Sequence, residues 1–146
     1  MEFRTNQHGF SISTIGNERS VREALAKTRS ALGDSGISDD LCSTVEIALA
    51  EALNNIAEHA YATTTPGPLE IAALLGPDGL EFNLRDRGNA LPGLTLPEGK
   101  LPERDVPLDD LPEGGFGWFL LRNLAESLTY KRENGENCLT LVFAQK

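Results

Sequence analysis

Apolar and polar residues alternate in a short stretch near the start of the chain. Phe10, Ile12 and Thr14 alternate with Ser11 and Ser13, and a period of two is the side-chain repeat of a β-strand. We therefore expect the fold to begin with a strand at this point.

The next fifty residues change to helical spacing. A first helix is predicted over residues 18–32, with Asn17 as its N-cap and glycines after its end. A second helix is predicted to begin with Asp39 or Asp40 as its cap and to run to about Tyr61. Its apolar positions recur every three or four residues and form one stripe: Leu41, Val45, Ala48, Ala52 and Ile56.

A hairpin is predicted after this helix. Residues 69–75 place apolar side chains at every second position, residues 76–79 read Gly-Pro-Asp-Gly, and residues 80–84 resume the alternation. Because the period is two, Asp86 falls on the apolar face of the return strand. A carboxylate is thus expected at the end of a buried strand face.

No periodic pattern persists over residues 88–113. This stretch contains five aliphatic–proline pairs spaced by five residues, and neither a helix nor a sheet interior accommodates that many prolines. Loops of this length are uncommon unless they are functional or disordered. We expect a lid or mobile arm, and its six acidic and two basic residues give it a charge that also suits recognition of a protein partner.

The rest of the chain predicts one helix and two strands. The helix starts after residues 114–117, and the strands lie near residues 128–132 and 138–144, joined by an Asn-Gly turn. The order of elements indicates an α+β fold, a two-layer sandwich of a mixed, mainly antiparallel sheet with helices on one face. The length of 146 residues suits a single domain, 1–146.

Charge and composition narrow the class of protein. The chain has 13 basic and 22 acidic residues and a net charge of −9, which disfavours nucleic acid as a partner. Cys42 and Cys138 are isolated from each other and from histidine, so neither a disulfide framework nor a metal site is expected. The sequence contains no apolar run long enough to span a membrane and no leader-like start, which predicts a cytoplasmic protein.

Three polar features are candidates for chemistry. Glu51 and Asn55 are four residues apart and share a helix face, although helices commonly expose such residues to solvent. Asp86, followed by Arg87-Gly88, could accept a hydrogen bond from an adenine amino group, or it could simply form a turn.

The third feature is a glycine cluster, Gly114-Gly115-Phe116-Gly117, at the start of the last predicted helix. Glycines at a helix N-terminus let backbone N–H groups approach an anion such as a phosphate. The alternative is a glycine cluster that merely ends a flexible loop.

The order of the three features carries a resemblance. The strings AEALNNIAEHAY (50–61), DRGNA (86–90) and GGFGWFLL (114–121) resemble the N, G1 and G2 boxes of the GHKL, or Bergerat-fold, ATPases. Within that superfamily the short chain is similar to the anti-sigma-factor serine/threonine kinases. The likeness extends from the strand near Phe10 to the last strand.

The resemblance implies ATP and Mg²⁺ as cofactors and assigns roles by position. Glu51 matches the general base, Asn55 the magnesium ligand and Asp86 the adenine-binding aspartate. Ala90 stands where the family pattern expects a glycine, which is costly only if φ is positive there. The remaining matched positions are ATP-binding glycines and their neighbour: Gly88 beneath the base, and Gly114, Gly115, Phe116 and Gly117 around the phosphates.

The resemblance also implies a function. It predicts an ATP-dependent protein serine/threonine kinase that phosphorylates an anti-sigma-factor antagonist, binds a sigma factor or another regulator, and forms a homodimer. The alternative is a binding module that uses ATP without catalysis. The ATPase half of a split histidine kinase is disfavoured, because His8 and His59 both lack the context of a phosphoacceptor. We interpret His59 as a helix residue near the site, and Trp118 as a core residue.

Overall fold

The computed structural model describes residues 1–61, 65–96 and 115–145, with the helical backbone alone for residues 115 and 116. Within these ranges six strands form one sheet in the order β1-β2-β3-β4-β6-β5, and all neighbouring strands pair antiparallel. The sequence predicted a mixed, mainly antiparallel sheet, and in the described ranges the sheet contains no parallel pair. The strands are β1 (Glu2–Asn6), β2 (Gly9–Ile15), β3 (Pro68–Leu75), β4 (Gly79–Asp86), β5 (Ser127–Glu133) and β6 (Glu136–Ala144).

Three α-helices accompany the sheet in the described ranges: α1 (Glu18–Asp34), α2 (Asp39–Asn55) and α3 (Gly115–Leu124). As predicted, the Asn17 side chain caps α1, accepting a hydrogen bond from Ser20 N at 2.8 Å. The predicted cap of α2 at Asp39 or Asp40 is wrong, because Ser38 caps this helix. Both aspartates instead lie in its first turn, where the helix dipole favours negative charge.

One face of the sheet packs against the helices. Cross-strand pairing aligns Phe10, Ala73, Phe82 and Leu141 in one row across four strands, and each of these side chains is buried. The stripe of α2 closes the core from the other side, with its buried residues Cys42, Val45, Ala48, Leu49, Ala52 and Leu53. The prediction of an α+β sandwich with its helices on one face is therefore confirmed.

The edge strand β1 was not expected from the sequence. Its five residues are mostly polar and exposed, so they lack the alternation that marks a half-buried strand. Phe3 is the exception. Its ring centroid lies 5.7 Å from that of Phe10, and Lys27 Nζ lies 4.3 Å from the ring centre, which gives this edge one apolar anchor.

Cys42 is buried and Cys138 is half-buried, and both are free thiols. The second predicted helix continues beyond Asn55 as a π-helical turn, Ile56–Ala60, and Tyr61 follows as its C-cap. Among the helices that the structure describes, none has the length and apolarity needed to cross a membrane.

Candidate functional site

A cavity of about 440 Å³ lies where the end of α2 meets the ends of β4 and β6. Its size is typical of a small-molecule site. The lining is mostly apolar, with a few polar side chains from separate elements. The lining residues are Ala52, Asn55, Ile56, His59, Ala60, Asp86, Asn89, Ala90, Leu91, Pro92, Trp118, Tyr130, Asn137 and Leu139.

Asp86 is the buried carboxylate of this cavity, with 3% of its surface exposed. Its Oδ1 accepts hydrogen bonds from Gly88 N and from Asn137 Nδ2, both at 2.9 Å. Among the described residues no donor reaches Oδ2. This oxygen is therefore left as an acceptor for a ligand.

Burial raises the pKa of Asp86 above its ordinary value of 3.8, while hydrogen bonds from Asn137 and Gly88 and the charge of Arg132 act in the opposite direction. A raised native pKa means that the folded protein binds the proton more tightly than the unfolded chain. The stabilisation from this proton is complete below pH 3.8 and is lost as the pH rises through the raised value.

We therefore expect the free energy of unfolding of the wild type, relative to that of Asp86→Asn, to fall as the pH rises through this window. Asparagine does not titrate, so the difference between the two proteins isolates residue 86. Urea unfolding of both proteins at a series of pH values measures it. A difference that rises with pH would contradict the assigned direction of the shift.

Gly88 is required by the close approach of two backbone segments. A Cβ built on Gly88 would lie 2.3 Å from the carbonyl oxygen of Ala60. The next residue, Asn89, donates its N–H to the same oxygen at 2.6 Å. The chain leaving β4 is thus fixed against the π-helical turn, which places residues 89–92 along the cavity, whereas Gly88 itself does not line it.

Replacing this glycine tests the close approach. We expect Gly88→Ala to destabilise the protein by about 1–3 kcal/mol, the usual cost of overpacking, because a backbone oxygen must move. Gly33→Ala is the matched control, since a Cβ at Gly33 meets nothing within 4 Å. Urea unfolding of both variants measures the difference, and equal stabilities would show that the contact can relax freely.

The alanine that departs from the family pattern is compatible with the backbone. Ala90 lines the cavity, and it is not among the described non-glycine residues with positive φ, which are Leu94 and Asn134. An alanine methyl group is unstrained at ordinary angles. The feature that the sequence marked as a departure therefore imposes no backbone strain.

Glu51 and Asn55 lie one turn apart at the end of α2, as their spacing predicted. A Cβ on Gly117 would lie 2.6 Å from Glu51 Oε2, so the absence of a side chain there lets the carboxylate reach the first turn of α3. Asn55 lines the cavity, and its Nδ2 is buried without an acceptor among the described residues. Glu51 does not line the cavity, but it lies one helical turn before Asn55, which does.

The residues at this end of the cavity fit a magnesium–phosphate ligand. The unpaired Nδ2 of Asn55 can donate to a phosphate oxygen, and its amide oxygen is a ligand type that Mg²⁺ accepts. The described part of the chain contains no group of three or more His, Cys, Asp or Glu side chains placed to hold a metal. Such a group is not required, because Mg²⁺ at phosphate sites usually keeps only one or two protein ligands.

The predicted glycine cluster and the predicted lid lie only partly within the described residues. Gly115 and Gly117 lie in the first turn of α3, whereas Gly114 and residues 97–113 of the expected lid lie outside the described residues. Residues 88–96 are described and include a short 3₁₀ turn, Pro92–Leu94. Leu91 and Pro92 line the cavity, so the start of the expected lid forms one of its walls.

Several lining residues were missed or assigned otherwise. Asn137 and Tyr130 were not singled out, although Asn137 continues the inward period of β6 two residues before Leu139. That polar residue in an apolar register was the available signal. His59 lies at the site, as interpreted, and Trp118 is 7% exposed, so it belongs to the core and also borders the cavity.

Comparison with known proteins agrees with this architecture. Residues 16–143 match the family model of the histidine kinase-like ATPase domain. The serine-protein kinase RsbW of Halalkalibacterium halodurans is 30% identical over 112 residues, covering 76% of this chain and 68% of that protein. The serine/threonine-protein kinase BtrW of Bordetella bronchiseptica is 31% identical over 99 residues, covering 68% of both chains.

Solved structures show the same fold. The RsbU and RsbW domains of Rv1364c from Mycobacterium tuberculosis superpose with a TM-score of 0.62 at 18% identity, and the match covers 91% of this chain and 32% of that longer one. The histidine kinase domain of a blue-light activated kinase from Erythrobacter litoralis gives a TM-score of 0.53 at 16% identity, covering 86% and 61% of the two chains. From the family match and the shared fold, we conclude that the chain belongs to the histidine kinase-like ATPase domain family.

Proposed function

We propose that this protein is an ATP-dependent protein serine/threonine kinase that phosphorylates a small anti-sigma-factor antagonist. The relatives named serine-protein kinase and serine/threonine-protein kinase support this proposal, as does a cavity of suitable size with a buried carboxylate and an apolar lining. We also propose that the protein binds a sigma factor or a similar regulator, acts as a homodimer of single-domain chains, and works in the cytoplasm, where ATP is available.

One observation carries the catalytic part of the proposal. The Glu51 carboxylate lies against Gly117 at the start of α3, one helical turn from Asn55 at the cavity. A carboxylate beside a phosphate site can accept the proton of an attacking hydroxyl. The alternative is that Glu51 and Asn55 simply form a solvated helix face. That alternative does not explain why the Glu51 carboxylate lies against Gly117 or why the Asn55 amide nitrogen is buried.

Each site residue has a distinct role in the proposed reaction. Asp86 accepts a hydrogen bond from the adenine amino group, and Gly88, through its close approach to Ala60, positions residues 89–92 beside the base. Asn55 holds the magnesium ion, which when bound neutralises charge on the phosphates. Ala90 and the first residues of α3, Gly115, Phe116 and Gly117, complete the ATP site together with Gly114, whose role is assigned by the resemblance alone.

Transfer then follows from the position of Glu51. The substrate serine or threonine oxygen bonds to the γ-phosphorus while the bond from that phosphorus to the β,γ-bridging oxygen breaks. Glu51 takes the hydroxyl proton, and ADP leaves with the bridging electrons. The chain's own contribution is therefore to hold the nucleotide, align the hydroxyl and accept one proton.

The direct test is phosphate transfer by the wild-type protein. Partners are recovered from source-cell lysate with and without Mg-ATP, and each is incubated with the protein and γ-labelled ATP. Label on a serine or threonine of a recovered partner, located by mass spectrometry, is the expected result. Tight ATP binding without transfer to any partner would contradict the kinase proposal and favour the alternative function, a nucleotide-gated binding module.

A further inference from the structure

Three side chains of the β5–β6 hairpin hold the chain that leaves β4. We call Tyr130, Arg132 and Asn137 the hairpin cluster. They contact the backbone of residues 88–91 at three points, with hydrogen bonds of 2.7 Å from Arg132, 2.9 Å from Asn137 and 3.1 Å to the Tyr130 hydroxyl. The segment that forms one wall of the cavity is thus fixed by side chains from another part of the sheet.

The hairpin cluster is also bonded within itself. Asn137 Oδ1 accepts hydrogen bonds from the Tyr130 hydroxyl at 2.5 Å and from Arg132 Nη1 at 3.0 Å. On its other side, Asn137 Nδ2 donates to Asp86 Oδ1 at 2.9 Å. Asn137 therefore connects the hairpin directly to the buried carboxylate of the cavity.

These partners allow one orientation of the Asn137 amide. A guanidinium group can only donate hydrogen bonds, and an ionised carboxylate can only accept them. Turning the amide over would place two donors together at Arg132 and two acceptors together at Asp86. The hairpin cluster thus keeps a donor on Asp86 Oδ1, which leaves Oδ2 for a ligand.

We propose that the hairpin cluster is a specificity-determining positioning device, which holds Asp86 so that its free oxygen selects a purine nucleotide carrying a 6-amino group. The inference rests on the proposed ATP site. None of the three side chains acts on the transferred phosphate. Their effect is to keep Asp86 from rotating and to keep residues 88–91 beside it.

The arrangement has a consequence for ligand choice. A nucleotide with a 6-amino group satisfies the free oxygen of Asp86, whereas one that lacks this group leaves a buried acceptor unpaired. Sites built to hydrogen-bond a ligand group reject analogues that lack it strongly. When the hairpin cluster is weakened, Asp86 can turn its oxygens toward other partners. Discrimination should then fall, while contacts to the ribose and phosphates persist.

The test compares ATP with purine riboside triphosphate, which differs from ATP by the absent 6-amino group. Calorimetric titration with magnesium gives both dissociation constants for the wild type, Asn137→Leu and Tyr130→Phe. Tyr130→Phe removes one hydroxyl and keeps the ring, so it decides the matter alone if Asn137→Leu fails to fold. Thr140→Val is the control. Thr140 also lies on β6 but outside the hairpin cluster, and the change removes its 2.7 Å hydrogen bond to Asn83 on β4. Asp86→Asn provides the reference for lost selection.

We expect the wild type and Thr140→Val to prefer ATP by about 10-fold or more. We expect the hairpin variants to prefer it by less than about 3-fold, while their affinity for purine riboside triphosphate stays nearly unchanged. Unchanged discrimination in these variants, or an equal loss of affinity for both nucleotides, would overturn the inference. Neither result would contradict the proposed ATP site. Binding of neither nucleotide by the wild type would overturn the proposed function as well.

Discussion

Glu51→Gln is expected to bind Mg-ATP and the protein partner as the wild type does, and to transfer phosphate about 10²-fold more slowly or worse. The reason is that glutamine cannot accept the hydroxyl proton, and a general base typically contributes about 10²–10⁴-fold. Glutamine keeps nearly the same volume, so the close packing of this side chain against Gly117 is retained. Single-turnover transfer of labelled phosphate measures the rate, and calorimetric titration measures nucleotide affinity.

Glu58→Gln is the matched control for this change. Glu58 also carries a carboxylate and lies in the π-helical turn that continues the helix, but it is exposed to solvent. Its transfer rate should equal that of the wild type. If Glu51→Gln were as fast as the wild type in every assay, Glu51 would not be the general base, and the carboxylate at Gly117 would have only a packing role.

Asn55→Ala is expected to lose Mg-ATP binding and phosphate transfer together. Removing the amide takes away the proposed magnesium ligand and the buried donor that has no acceptor among the described residues. Even indirect partners of metal ligands typically contribute about 10–100-fold to affinity, so a loss of at least about 10-fold is expected for a direct ligand. Titration with ATP in the presence and absence of magnesium measures this loss and shows whether it depends on the metal.

Stability distinguishes a lost ligand from a damaged helix. Alanine favours helices more than asparagine does, and the variant no longer buries an unpaired N–H group, so the nucleotide-free protein should be at least as stable as the wild type. Asn54→Ala is the control, because Asn54 is the preceding residue and is exposed. The Asn55 role would be contradicted if both variants bound Mg-ATP equally well.

Much of the fold could be predicted from the sequence because its signals are local. Period-two alternation located β2, β3 and β4, two further strands were predicted near β5 and β6, and helical spacing located three helices. The same period placed Asp86 among inward-facing residues, where it is indeed buried. The four-residue spacing of Glu51 and Asn55 likewise fixed them on one helix face, since helix geometry alone determines that relation.

Local patterns failed where the neighbouring residues carried no apolar signal. Strand β1 is mostly polar and exposed, so only its pairing with β2 defines it. The last two strands begin before the predicted residues, and this extension includes Asn137. Asn137 continues the inward period of β6, but only its hydrogen-bond partners show what a polar residue at that position does.

The sequence by itself therefore determined the order of the elements from β2 onward, the apolar faces and the residues of the candidate boxes. Only the tertiary structure decided which groups meet across the cavity. Asp86 and Asn137 are 51 positions apart in the chain, and sheet register brings them opposite each other. Likewise, Gly88 must be glycine because the Ala60 carbonyl lies against it. Contacts of this kind depend on the packing of distant segments, which no local period in the sequence encodes.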